Sequence, residues 1–126
     1  MENNNELITL EIEGLPPTVN MMYSGLQGHR FKTKSTLEYQ NCVADKLREL
    51  WHSQPPYDGR AALFITYHTH SHRRWDIDNR VKALQDCLSL AGVIKDDSQV
   101  DKLIIERVFE QNKRQDYTIL TLSKYE

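Results

Sequence analysis

The stretch DIDNRVKALQDCLSLAGVIKDDSQVDKL, residues 76 to 103, holds six aspartates and no glutamate. Asp76 and Asp78 precede a helical pattern, Asp86 lies within it, Asp96 and Asp97 follow it, and Asp101 lies beyond. Val81, Leu84, Leu88 and Ala91 stand at i, i+3, i+7 and i+10, the spacing of one apolar helix face. Asp78 or Asn79 is placed to cap this helix and Gly92 to end it at the C′ position. Carboxylates bunched this closely repel one another, so the stretch predicts a compensating cation as well as a helix.

Working outward, residues 61 to 69, AALFITYHT, form a mostly apolar run of strand length, expected at the centre of a sheet. Residues 7 to 13 alternate, with Ile8, Leu10 and Ile12 on one side and Thr9, Glu11 and Glu13 on the other, which predicts a half-buried strand. Leu103 to Phe109 and Tyr117 to Leu122 read as two further strands. Ser35 with Glu38 has the form of a capping box, opening a helix over about 36 to 51 whose apolar positions are Tyr39, Val43, Leu47 and Leu50. Residues 14 to 34 show no periodicity and read as a long loop. The order β-α-β-α-β-β predicts an α/β chain of the α+β kind, a single domain over 1–126 with helices covering one mixed sheet.

The composition limits the function. The chain has 126 residues, 39% of them hydrophobic and 27% charged, in the range of a globular protein with one core. No apolar run approaches the roughly 20 residues that span a bilayer, and the opening MENNNELITL is polar and acidic, unlike a secretory signal. Two cysteines, Cys42 and Cys87, read as reduced thiols of a cytoplasmic protein. The net charge of −2 does not mark a nucleic-acid binder, but its distribution is uneven. Between Ser24 and Leu37 the only charges are Arg30, Lys32 and Lys34; Arg73 and Arg74 stand just before the first aspartate pair; Lys113 and Arg114 form a third basic site.

Asp76 and Asp78, two residues apart, share a face in extended backbone. Asp97 can join them only if the chain after Gly92 folds back along the helix, and the segment VIKDD is long enough for that. Three short carboxylates without cysteine favour a hard divalent cation, Mg²⁺ or Mn²⁺. Lys82, four residues after Asp78, adds a positive group of the kind used in phosphoryl chemistry. Competing readings exist for each residue: Asp78 as a helix cap, Lys82 as an ion-pair partner of Asp78 or Asp86, Asp96-Asp97-Ser98 as a turn. An EF-hand is excluded, since Arg80 and Val81 stand where Asp or Asn and then Gly are required. His68, His70 and His72 alternate and could bind zinc, though a polar strand end is the commoner meaning. Trp75 suits packing, or stacking on a base.

The whole spacing resembles one family. RRWDIDNRVKALQDCLSLAGVIKDDSQVDKL is similar to the core signature of RusA-type Holliday junction resolvases, with Asp76, Asp78, Asn79, Lys82, Ala91-Gly92-Val93, Asp97 and Gln99 in register. GLPPTVNMMY, through Pro16, Pro17, Asn20 and Tyr23, and RFKTKSTLEYQNCVADKL resemble further segments of that family. The resemblance implies a homodimeric, Mg²⁺-dependent endodeoxyribonuclease that resolves four-way junction DNA by paired nicks, in recombination and repair. It implies metal binding by Asp76, Asp78 and Asp97 and catalytic support from Lys82. Arg30, Lys32, Lys34, Arg73 and Arg74 are expected to track the phosphate backbone. The alternative is a junction-DNA-binding protein without turnover. Trp75, where the family often has a small residue or proline, and the acidic balance depart from the pattern.

Overall fold

Ala61–Thr69 forms the spine of the sheet. We describe a computed structural model of the chain over residues 5–26, 28–111 and 115–126. Strand β1 runs Glu6–Glu13, helix α1 is a single turn at Val19–Met22, and β2 (Tyr23–Ser24) and β3 (Phe31–Lys32) make a short antiparallel pair. Helix α2 (Lys34–Trp51), β4 (Ala61–Thr69), α3 (Val81–Leu90), β5 (Val100–Phe109) and β6 (Tyr117–Lys124) follow. The main sheet has the order β1-β6-β4-β5. β4 lies parallel to β5 and antiparallel to β6, which is antiparallel to β1, so the sheet is mixed and β4 is interior. The parallel pair requires a crossover, and α3 supplies it. No helix among the described residues is long and apolar enough to cross a membrane.

The core lies between the sheet and two helices. Leu63, Ile65 and Tyr67 of β4 meet Val43 and Leu47 of α2 and Leu84 and Leu88 of α3, all nearly sealed from solvent. Burying each leucine contributes about 1.5–3 kcal/mol, so the helix holding the aspartate-rich segment is fixed from beneath. Ile8 and Ile12 close the same core from β1, as the alternation predicts.

Several local expectations need correction. Helix α2 begins at Lys34, capped by Thr33, whose backbone is extended and whose hydroxyl accepts from Thr36 N; Ser35 already lies in the first turn. Residues 14 to 34 are not a featureless loop: α1 and the β2–β3 pair occupy part of them, too short to show a period. β5 starts at Val100, earlier than its apolar pattern, because its first residues Asp101 and Lys102 are exposed on an edge. The basic site at Lys113 and Arg114 lies outside the described residues.

Candidate active site on the α3 face

The chain leaves β4 at Thr69, crosses a loop over 70–76, and enters α3 through a 3₁₀ turn at Ile77–Arg80. Neither expected cap is used. The residue preceding α3 is Arg80, without a side-chain cap, and Asp76 precedes the 3₁₀ turn, also without one. The tighter turn carries the chain into the helix and leaves the Asp76 and Asp78 carboxylates unspent. Both residues are exposed, and among the described residues neither side chain has a hydrogen-bond or ion-pair partner.

The end of α3 matches expectation. Gly92 has φ +77°. Val93 N donates to Leu88 O at 3.0 Å and Gly92 N to Ser89 O at 3.1 Å, the paired bonds of a glycine-terminated helix. That reversal sends residues 93 to 97 back beside the helix. The neighbouring aspartates then part company. Asp96 caps a 3₁₀ turn (Asp97–Gln99), accepting from Ser98 N at 3.0 Å, while Gln99 Oε1 accepts from Lys95 N and Asp96 N. Hydrogen bonds from Ser98 hold the Asp96 carboxyl below the usual range. Gln99 Nε2 donates to the carbonyls of Tyr57 and Gly59, fastening the turn to the loop before β4. Asp97 faces α3 instead.

There it meets a compact ionic cluster. Lys82, Asp86 and Ser89 stand at i, i+4 and i+7, one face of α3. Lys82 Nζ lies 2.9 Å from Asp86 Oδ1 and 3.2 Å from Asp97 Oδ2, and Ser89 Oγ donates to Asp97 Oδ1 at 2.9 Å. From the β2–β3 pair, Lys32 Nζ donates to Asp86 Oδ2 at 3.1 Å and to Gln40 Oε1 at 2.8 Å. The hydrogen bond with Asp86, opposed by partial burial and reinforced by Asp97, raises the Lys82 pKa, so this amine is a fixed cation. Burial alone would raise the Asp86 pKa; the bonds from Lys82 and Lys32 outweigh it and the carboxyl is held low. A hollow of about 560 Å³ opens here, lined by Tyr23, Lys32, Lys82, Asp86, Ser89 and Asp97 among others.

Of the residues expected at the site, Lys82 and Asp97 are in contact. Asp76 and Asp78 are not gathered with Asp97 into a ready cage: among the described residues, no three His, Cys, Asp or Glu side chains are grouped to hold a metal ion. The donor chemistry still suits a hard cation. Asp76 and Asp78 are carboxylates without partners among the described residues, and Asp97 is held by a lysine and a hydroxyl, both exchangeable. Asp86 was legible only as a helix-pair partner; its bond to Lys32, 54 residues away in sequence, carries no sequence signal.

The basic residues divide. Lys34 is almost fully exposed, Arg30 lies over the Tyr23 ring at 5.3 Å, and Lys32 is committed to the cluster. Arg73 and Arg74 are exposed on the loop before Asp76 and line a cavity of about 620 Å³ with Trp75, Arg80 and Arg107. Arg107 holds this loop by donating to the carbonyls of Ser71 at 2.9 Å and Arg73 at 2.7 Å. Sequence reasoning passed over Arg80 and Arg107. The histidines do not converge: His68 bonds Glu110 and stacks on Tyr117, His70 bonds Asp116, and His72 stacks on Phe109. Trp75 packs edge-on against Tyr67.

A lysine fixed between carboxylates, with free aspartates one turn upstream and arginines on the approach, defines a site suited to phosphate esters. The chain belongs to the endodeoxyribonuclease RusA family: the model of that family matches residues 13–119. It is a family of Holliday junction nucleases, and the matched span covers every candidate site residue. No curated protein matches the chain.

Proposed function

We propose that the protein is a divalent-cation-dependent endodeoxyribonuclease that resolves four-way DNA junctions by paired symmetric nicks, acting in recombination and repair in the cytoplasm. The observation that carries this reading is the return of Asp97 to Lys82, which brings the end of the aspartate-rich segment back onto the α3 helix that Asp76 and Asp78 precede. Asp76, Asp78 and Asp97 would hold Mg²⁺ or Mn²⁺, which supplies a polarised phosphate and an activated water. Lys82, its pKa raised, stays protonated and neutralises charge developing on the phosphate rather than serving as a base. Asp86 holds Lys82 on one side and Lys32 on the other. Arg30, Lys34, Arg73 and Arg74 bind backbone phosphates, which makes affinity strongly salt-dependent. Lys32 acts through the cluster instead. Two symmetric cuts require two sites, and a C2 homodimer provides them.

The test is cleavage of a synthetic mobile four-way junction beside a matched linear duplex, with Mg²⁺ and with EDTA, for the wild type and Asp78→Asn. Paired nicks in the junction, lost with EDTA and in the variant, are the expected result. Tight junction binding with no cleavage under any divalent ion would leave a binding protein instead.

A further inference from the structure

Beside the carboxylates runs a series of guanidinium and aromatic planes. Arg80 Cζ and Arg107 Cζ each lie 4.7 Å from the Trp75 ring centroid. Arg107 Cζ also lies 4.7 Å from Phe109, and Phe109 stacks on His72 with centroids 4.1 Å apart and planes 27° from parallel. The two ends of the series differ. The inner end is braced: Arg80 donates to Pro16 O, Trp75 rests on Tyr67, and Arg107 donates to Thr69 Oγ1 and to two loop carbonyls. The outer end is not. Phe109 is 44% exposed, and His72 is exposed with no hydrogen bond among the described residues.

A brace between β5 and the loop over 70–76 needs Arg107 and Trp75; it does not need an exposed imidazole laid flat on an exposed phenyl ring. One face of exposed His72 lies on Phe109, and the exposed Arg73 and Arg74 follow it directly in the chain. A flat ring next to cations suits a flat, electron-rich partner that carries a negative charge. Nucleobases stack on such rings with little regard to sequence, and their phosphates take the flanking guanidiniums. Arg73 and Arg74 also line the cavity of about 620 Å³, together with Ser71 and the Arg107 that stacks on Phe109, and that volume is large enough for a nucleotide.

We propose that the His72–Phe109 pair is a stacking platform for an unpaired DNA base, with Arg73 and Arg74 on the neighbouring phosphates. The inference rests on the junction reading above, because the branch point is where that substrate offers unstacked bases. Its closeness in sequence to Asp76 would set an opened base beside the cutting site.

The experiment is a cycle of binding affinities for the full-length protein without divalent ion. The DNA is an intact four-way junction, one with abasic residues at the branch point, or a matched linear duplex; the proteins are wild type, His72→Ala and His72→Phe. The wild type should bind the intact junction about tenfold more tightly than the abasic one. His72→Ala should lose a similar factor on the intact junction and little more on the abasic one, while His72→Phe keeps the wild-type pattern. Wild-type affinity in His72→Ala, or losses that multiply independently, would overturn the platform while leaving the nuclease reading intact. A wild type that binds no junction in preference to duplex would overturn both.

Discussion

Asp97 lies 15 residues beyond Lys82 in the chain, yet its Oδ2 stands 3.2 Å from Lys82 Nζ. A helix, a glycine reversal and a capped 3₁₀ turn bring them together. The arrangement assigns different work to neighbouring aspartates: Asp96 spends its carboxylate on backbone N–H groups, whereas Asp97 keeps its own for the lysine and Ser89.

Lys82→Met tests whether that cation acts on the substrate or only on the fold. The side chain is 46% exposed, so removing the charge leaves a solvent-screened gap, and Lys32 still satisfies Asp86. Stability should fall by no more than about 1 kcal/mol. Junction cleavage should fall by about 10²–10³-fold, the usual cost of one transition-state charge partner, with junction binding within about threefold of wild type. Thermal unfolding, single-turnover cleavage and binding measured on the same preparation check the three expectations. A loss of cleavage that only tracked the loss of fold would remove Lys82 from the chemistry.

Asp86 should behave in the opposite way, as a structural group first. Its side chain is only 16% exposed and satisfies Lys32, Lys82 and Gln40. Asp86→Ala leaves Lys32 without its counter-ion and Lys82 with Asp97 alone, which should cost about 1–3 kcal/mol after allowing for the exposure of the lysines. The pH dependence follows from the directions of the shifts. A carboxyl held below its ordinary value of 3.8 contributes stability that is present above that value and lost as pH falls through the lower folded value. The raised Lys82 contributes stability that is complete below 10.5 and lost as pH climbs through its higher folded value. The difference in unfolding free energy between wild type and Asp86→Asn should therefore be flat between about pH 5 and 9 and shrink below about pH 3.8. Urea titrations at pH 7, 5 and 3 measure it, and a difference that grew in acid would contradict the assignment.

Much of this was legible along the chain. The bounds of β4 are legible because its nine residues are mostly apolar, β-branched or aromatic and lie between a glycine-containing loop and a polar run. Gly92 marks the helix stop in the sequence, and its positive φ ends the helix in the structure. Other features were hidden for identifiable reasons. TKST offers hydroxyls at Thr33, Ser35 and Thr36, and only the backbone angles decide that Thr33 is the cap. Asp78 fits a helix cap in sequence, but a 3₁₀ turn intervenes and leaves it free. The Lys32–Asp86 and Arg107–loop contacts join distant segments, and no local pattern encodes them.

Cys87 and Cys42 should differ sharply toward an alkylating reagent. Cys87 is buried on α3, and desolvation, with Asp86 next to it, pushes its thiol up to about 12. Relative to an ordinary value of 9.0, that leaves about a thousandfold less thiolate at neutral pH. Cys42 is exposed on α2. Iodoacetamide at pH 8 should modify one cysteine of the native protein, identified as Cys42 by peptide mass, and both in 6 M guanidinium. Rapid modification of Cys87 in the native protein would show that α3 opens away from α2, since Cys87 Sγ lies against the Gln40 carbonyl.

Two glycines with the same backbone angle separate a stability effect from a functional one. Gly92 and Gly14 both have φ +77°, and an added Cβ meets nothing within 4 Å at either. The cost of alanine is therefore conformational at both sites, about 1–2 kcal/mol. Gly14 follows β1, far along the chain from the aspartate-rich segment, so Gly14→Ala should lower stability and leave cleavage per folded molecule unchanged. Gly92 sets the reversal that returns Asp97 to Lys82. If the strained residue relaxes by opening that reversal, Asp97 moves, and a displacement of about 1 Å can cost about 10²-fold in rate. Gly92→Ala should thus lose cleavage beyond its loss of stability, and Gly92→Asn, which tolerates the left-handed backbone better, should recover part of it. Denaturant unfolding and single-turnover cleavage of the three variants decide the matter: equal cleavage by Gly14→Ala and Gly92→Ala would mean that the return of Asp97 does not limit the reaction.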